Sequence, residues 1–184
     1  MGIQGSHRLV LSGAKIHIAR GGRGPVLLIL HGAGGSDNLK NVFGILAEDY
    51  DVILPDHPGF GLSEQSKNLN SVSDLAFYYL NLFKELGLKD IHLIGHSMGG
   101  WIAAEIAIRS TVNLSSLTLI SSAGIHVRGV PKGDLFLWSP EELINNLFVN
   151  QKVVDEMLAH EPSGEELEFI VKNRVAAARY AWHP

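Results

Sequence analysis

The sequence predicts an α/β fold, a mostly parallel sheet flanked by helices, and three observations carry the prediction. Four compact apolar runs, Val26 to Leu30, Asp51 to Leu54, Ile91 to Ile94 and Leu117 to Ile120, read as strands covered on both faces. Helical segments at roughly Asn38 to Glu48, Ser73 to Leu86 and Met98 to Ser110 alternate with them, as βαβ units require. The third run passes directly into Gly95-His96-Ser97-Met98-Gly99, a lone serine hedged by glycines between strand and helix. Glycines at such a junction cost backbone entropy, so a functional reason for them is expected.

Each element has its own local signal. Arg8 to Leu11 and Lys15 to Ala19 alternate partly and meet at Ser12-Gly13, which suits an antiparallel hairpin. In the helix from Ser73, residues Leu75, Tyr79, Leu82, Phe83 and Leu86 recur at spacings of three or four, so one face is apolar. Lys84 and Glu85 can face water, and Gly87 supplies a C-terminal stop. After Ser121 no further buried strand is expected, only three helices. Ser139-Pro140-Glu141-Glu142 combines an N-cap serine, a first-turn proline and a glutamate three residues on, and Ser163 with Glu166 repeats the device. Asn150 can cap the helix between them, whose Val153, Val154, Met157 and Leu158 form an apolar side that needs cover. Residues 1–123 are therefore read as the core and 124–184 as a helical lid, an appendage rather than an independent domain.

Composition narrows the function classes. With 184 residues and 46% hydrophobic content the chain suits one globular domain. A net charge of -4 offers no broad basic surface for nucleic acid or anionic membranes. No run approaches the roughly 18 apolar residues of a membrane span, and no signal peptide is apparent. A small-molecule partner and a cytoplasmic location are the expectations. The opening MGIQGS fits the myristoylation pattern, although so short a pattern recurs by chance and a cloning scar could also produce it. Zero cysteines exclude disulfides and thiolate catalysis. Nine histidines without H-E-x-x-H spacing predict no metal. GFGLSE lacks the third glycine of a dinucleotide fingerprint and no phosphate-binding G-x-x-x-x-G-K-S/T occurs, so no cofactor is implied.

The chemistry rests on two glycine-rich turns. G-x-S-x-G after a buried strand and before a helix is the context of a nucleophile elbow, with Ser97 raised above the sheet as the candidate catalytic residue. The Met98 amide, at the helix N-terminus, would face the negative charge developing on an attacked carbonyl. His31-Gly32-Ala33-Gly34-Gly35-Ser36 follows the first parallel strand, where the amide of Ala33 or Gly34 could be the second oxyanion donor. Gly32, His31, His96 and Trp101, with Trp138, are the candidate pocket residues. His31 could equally stabilise its loop, and the aromatic set Trp101, Phe136, Leu137 and Trp138 could equally be packing. Asp56 is expected to cap the amides of its own glycine turn, and Gly59 and Gly61 to serve the backbone there.

Together with Pro55 to Glu64, PDHPGFGLSE, which is similar to a D-x-P-G-x-G-x-S loop, these motifs resemble the α/β-hydrolase family. The resemblance covers about Arg8 to Ser122, and the helices that follow look like the start of the family's cap. It implies an eight-stranded core ordered 1-2-4-3-5-6-7-8, of which about six strands are present, and a Ser, acid, His triad. In the family the acid follows a seventh strand and the histidine an eighth. Asp134, Asp155, His126, His160 and His183 follow no strand-like run, so neither role is carried onto them. A truncated chain, or a partner piece supplying the missing strands, is expected, with an open sheet edge at which copies could associate. The implied activity is hydrolysis of carboxylic esters or related acyl substrates through an acyl-enzyme on Ser97. A carbon-carbon bond hydrolase of the ring-cleavage type, and a non-catalytic binding module or inert fragment, are the alternatives.

Overall fold

The computed structural model describes residues 5–130 and 133–182. Most of the MGIQGS pattern, and His183, lie outside them. Six strands form one sheet: β1 (Gly5–Leu11), β2 (Ala14–Gly21), β3 (Val26–Leu30), β4 (Asp51–Pro55), β5 (Ile91–His96) and β6 (Leu114–Ile120). Their order is β1-β2-β4-β3-β5-β6, the order that the family resemblance implies for six strands. The β1–β2 and β2–β4 pairs are antiparallel and the remaining pairs parallel. At the hairpin tip Ser12 and Gly13 both take positive φ, 53° and 76°, and Leu11 pairs with Ala14. A two-residue loop of this kind matches the twist of the flanking strands.

Strand alternation sends successive side chains to opposite layers. Leu28, Leu30, Ile53 and Leu93 join one cluster with α2 (Val72–Glu85) and α3 (Met98–Arg109), while Leu27, Ile29, Val52 and Leu54 meet Phe43 and Ala47 on the other face. Phe43 belongs to α1 (Lys40–Leu46), which is preceded by a 3-10 turn, Asp37–Leu39, that overlaps the span expected to be a single helix. From β3 the chain runs to one side to β4, then crosses over to β5 on the other side. That reversal opens a crevice beyond the carboxyl ends of β3 and β5, the place where ligands bind in sheets of this type.

One expected strand differs in its surroundings. β6 pairs with β5 alone among the described residues, and Leu117, Leu119 and Ile120 are 39%, 40% and 46% exposed. The run is apolar, as a covered strand should be, but apolarity records a preference for cover and not a neighbour's presence.

Three capped helices follow: α4 (Pro140–Leu147), α5 (Gln151–Ala159) and α6 (Gly164–Ala181). Ser139 and Ser163 close capping boxes with Glu142 and Glu166, and the Asn150 side chain accepts from the Lys152 amide. Only α6 contributes to the main core, through Ala176, Ala177 and Tyr180. In α4 nothing is buried, and in α5 only Val154.

Gly44 sits inside α1 with open space where a Cβ would be. Gly44→Ala is expected to raise unfolding stability by about 0.5–1 kcal/mol, measured by urea titration, because alanine loses less backbone freedom on folding.

Candidate active site

Ser97 closes β5 and caps α3 with φ 53° and ψ −119°, a conformation that side-chain-bearing residues rarely adopt. Its backbone is held from several directions. The Ser97 amide donates to the Ile120 carbonyl at 2.9 Å, and its own carbonyl accepts from Gly100 (2.9 Å), Trp101 (3.2 Å) and Ala123 (3.0 Å). The flanking glycines are steric necessities. A Cβ on Gly95 would lie 2.4 Å from the Gly99 carbonyl oxygen, and one on Gly99 would lie 2.1 Å from that of Leu30. The start of α3 therefore presses backbone to backbone on the ends of β3 and β5.

The turn after β3 comes equally close, since a Cβ on Gly32 would sit 3.0 Å from the Ser97 Cβ. The Gly35 amide donates to the Gly32 carbonyl at 3.1 Å and closes the turn. Among the described residues the amides of Ala33, Gly34 and Met98 donate to no internal acceptor. Likewise, no described histidine or carboxylate hydrogen-bonds the Ser97 hydroxyl.

A cleft of about 680 Å³ opens over Ser97. Ala33, Met98 and Trp101 line it beside the serine, and Ile125, Leu135, Phe136, Ala177, Ala181 and Trp182 make most of the remaining wall. Asp134 is the one charged side chain on that wall among the described residues, and both its oxygens are engaged, by the Phe136 amide (2.9 Å) and the Trp182 indole N–H (3.2 Å). A second hollow, lined by Arg20, Arg23 and Asp51, lies at the opposite end of the parallel strands, and there Arg20 is committed to Asp51. Among the described residues no three metal-binding side chains converge.

Behind the turn two buried histidines interlock. The His31 Nδ1–H donates to the Gly32 carbonyl at 2.7 Å, which leaves Nε2 to accept the His57 amide at 3.0 Å. In return the His57 Nε2–H donates to the His31 carbonyl at 2.9 Å, and its Nδ1 accepts the Tyr79 hydroxyl at 2.5 Å. The two rings lie 3.8 Å apart. The carbonyl partners require a proton on His31 Nδ1 and His57 Nε2 and the His57 amide requires a lone pair on His31 Nε2, so His31 is a neutral single tautomer, while burial favours the neutral form of His57. Burial pushes His31 down to about 4, against the upward pull of its bond to Gly32. Burial, then the neighbouring His31, sends His57 well below its ordinary value. Asp56 ties the same two loops: its carboxylate accepts from the Ser36 hydroxyl, the Leu62 amide (2.9 Å) and the His17 ring (3.1 Å).

A sequence profile described as alpha/beta hydrolase fold matches residues 25–175. The chain belongs to the alpha/beta hydrolase family. Among its curated relatives, Lipase 1 of Psychrobacter immobilis is 37% identical over 126 residues, covering 66% of this chain and 39% of that protein. The dihydrolipoyllysine-residue acetyltransferase component of the acetoin cleaving system of Cupriavidus necator is 33% identical over 116 residues, 62% of this chain and 31% of its own length. Among solved structures, a membrane phospholipase A described as a bacterial virulence factor superposes with a TM-score of 0.68 at 29% identity, over 95% of this chain and 59% of that one. The chain thus spans 31% and 39% of the length of these curated relatives.

In this alpha/beta hydrolase the cleft brings together Ser97, Met98, Ala33, Trp101 and Phe136 of the residues expected from sequence. Gly34 is exposed beside it, with its carbonyl engaged by Asn173. Four expected pocket residues do not line the cleft. His31 is wholly buried in the clasp, Gly32 is buried under Ser97, and His96 faces Gly32 through Nδ1. The Trp138 indole packs on Gly133. The sequence reading did not single out Asn173, Ala177, Ala181 or Trp182. The available signal was the small-residue face of α6, Asn173-Ala176-Ala177-Tyr180, whose narrow profile allows a helix to lie close on loops.

Gly99→Ala is expected to destabilise by more than about 3 kcal/mol or prevent folding, because the clash is with backbone that cannot move aside. Urea unfolding of this variant beside Gly44→Ala checks the contrast. The clasp also sets a pH dependence. Unfolded, His31 and His57 take up protons near their ordinary value of 6.5, whereas folded they stay neutral, His31 to about 4. Between those limits the unfolded chain binds more protons, so stability falls with acidification, by up to about 3 kcal/mol from His31 alone. Melting temperatures should begin to drop between about pH 6.5 and 5, before exposed carboxylates titrate; a flat profile there would refute the buried neutral pair.

Proposed function

We propose that this hydrolase cleaves carboxylic esters or related acyl substrates, with Ser97 as the nucleophile. The observation that carries the reading is the strained Ser97 backbone, held at φ 53° beside three amides without internal acceptors. Such strain persists where the surrounding structure over-determines it, and at a strand-to-helix turn it exposes a hydroxyl to a cleft. In the proposed reaction the Ser97 oxygen bonds to the carbonyl carbon and loses its proton to a base. The carbonyl oxygen takes up negative charge, which the amides of Met98 and of Ala33 or Gly34 would stabilise. Collapse expels the alcohol, which takes a proton as it leaves, and water then cleaves the acyl-enzyme. Amides aimed in advance act strongly because they need no reorganisation, and one such donor is worth about 2.7–4 kcal/mol of barrier.

The apolar wall of Trp101, Ile125, Leu135, Phe136 and Trp182 favours an apolar acyl chain over a charged one. The names of the lipase and phospholipase relatives agree with an ester as the scissile group. The reaction requires a base that reaches Ser97, so the test uses the protein expressed from its full reading frame. A fluorophosphonate probe is expected to label Ser97, and Ser97→Ala is expected to abolish labelling and lower ester hydrolysis by about 10³-fold or more. Labelling that survives in Ser97→Ala, or none in the wild type, would end the proposal.

A further inference from the structure

α6 carries a buried polar side chain that touches the glycine turn after β3 and the glycine loop after β4. Asn173 is 6% exposed, its Nδ2 donates to the Gly34 carbonyl at 3.0 Å, and its Oδ1 accepts the Gly61 amide at 3.0 Å. The carbonyl can only accept and the amide can only donate, so the amide group of Asn173 has one orientation. Gly35 leaves it the room. With φ 94° and no side chain, Gly35 sits where a Cβ would lie 2.5 Å from the Asn173 Nδ2.

Further contacts of α6 reach the loop after β4 and not the turn at residues 31–36. Lys172 donates to the carbonyls of Gly61 (2.5 Å) and Ser63 (3.1 Å), Tyr180 to that of Pro58 (3.0 Å), and Arg179 to those of Leu69 (3.1 Å) and Lys67 (3.3 Å). These anchor the helix to the loop after β4. Among the described residues, hydrogen bonds from α6 to the turn at residues 31–36 run through Asn173 alone.

We propose that Asn173 is a positioning residue that couples the seat of α6 to the glycine turn carrying Ala33 and Gly34, so that the oxyanion amides are aligned only while the helix is docked. The kinetic part rests on the serine hydrolase reading, whereas the coupling itself does not. The physical argument is one of constraint. Gly32, Gly34 and Gly35 give the turn little intrinsic stiffness, and its interior end is held by His31. Its far end is tied by the Ser36 hydroxyl to Asp56, and between the two ends Gly34 is held by the Asn173 bond. A donor amide displaced by a fraction of an ångström loses much of its effect on a transition state while substrate binding by the cleft wall is unchanged.

Asn173→Asp separates the two arms. A carboxylate still accepts the Gly61 amide but cannot donate to Gly34, and the anchors at Lys172, Arg179 and Tyr180 remain. Hydrogen exchange of the peptide spanning residues 31–36 is expected to quicken about tenfold or more in Asn173→Asp and Asn173→Ala, with α6 still protected in the former. Lys172→Ala, which removes an anchor without touching the turn, is expected to leave that peptide unchanged. On p-nitrophenyl butyrate, with the full reading frame expressed, Asn173→Asp should lower kcat about tenfold and leave KM within twofold. Unchanged exchange at 31–36 in both Asn173 variants, or equal loosening in Lys172→Ala, overturns the coupling. A rise in KM with kcat intact overturns the alignment role. A wild type without Ser97-dependent hydrolysis sinks the hydrolase reading, and the exchange result still decides the coupling.

Discussion

Everything near the cleft depends on one backbone constraint, the positive φ of Ser97 at the junction of β5 and α3. A residue with a side chain in that conformation costs on the order of 1–3 kcal/mol, and the surroundings must hold it there. They do so with hydrogen bonds. The Ser97 carbonyl receives three amides and its own amide reaches into β6, so relaxing the angle would strand several polar groups at once. The glycines on either side follow from the same constraint, because a helix can begin against the strand ends only where no Cβ intervenes. Strain at Ser97 and close backbone packing are thus two aspects of one arrangement.

The turn facing Ser97 is rigid for a different reason. It has few side chains to pack, so its position is imposed from behind by the His31–His57–Tyr79 chain and from the side by Asp56 through Ser36. Buried histidines of this kind are structural elements, and the neutrality of His31 is a condition of the bonding, since a proton on its Nε2 would displace the His57 amide. The proton economy of the fold and the placement of the Ala33 and Gly34 amides are therefore linked.

The helices after β6 divide by function in packing. α6 lies on the loops of the core through alanines, a tyrosine and the Asn173 bridge, while α4, α5 and the link between them leave Leu147, Phe148, Val149, Met157 and Leu158 open to solvent. β6 is similarly open. A cleft wall built partly from α6 and from the segment around Leu135 and Phe136 is held together by Arg174, whose guanidinium donates to the carbonyls of Phe136 (3.1 Å) and Trp138 (3.0 Å).

Local signals in the sequence were sufficient for the strands, the helix caps and the elbow, because each depends on neighbours a few residues away. The Ser12-Gly13 turn, the capping boxes at Ser139 and Ser163, and G-x-S-x-G after an apolar run all state their geometry within one short segment. The strand order came from resemblance rather than from periodicity, and the chain bears it out over six strands. What only the tertiary structure decided are the partners that lie far apart in the chain. His31 could be read as a pocket residue until His57, 26 positions away, was seen to occupy both its backbone and its ring. Asn173 could be placed on a face of α6 but its partners could not be read, since Gly34 and Gly61 lie 139 positions and more than a hundred positions away. The physical reason is the same in both cases: a side-chain amide or imidazole has the same composition wherever it stands, and its role is set by which buried donor or acceptor the fold brings within about 3 Å of it.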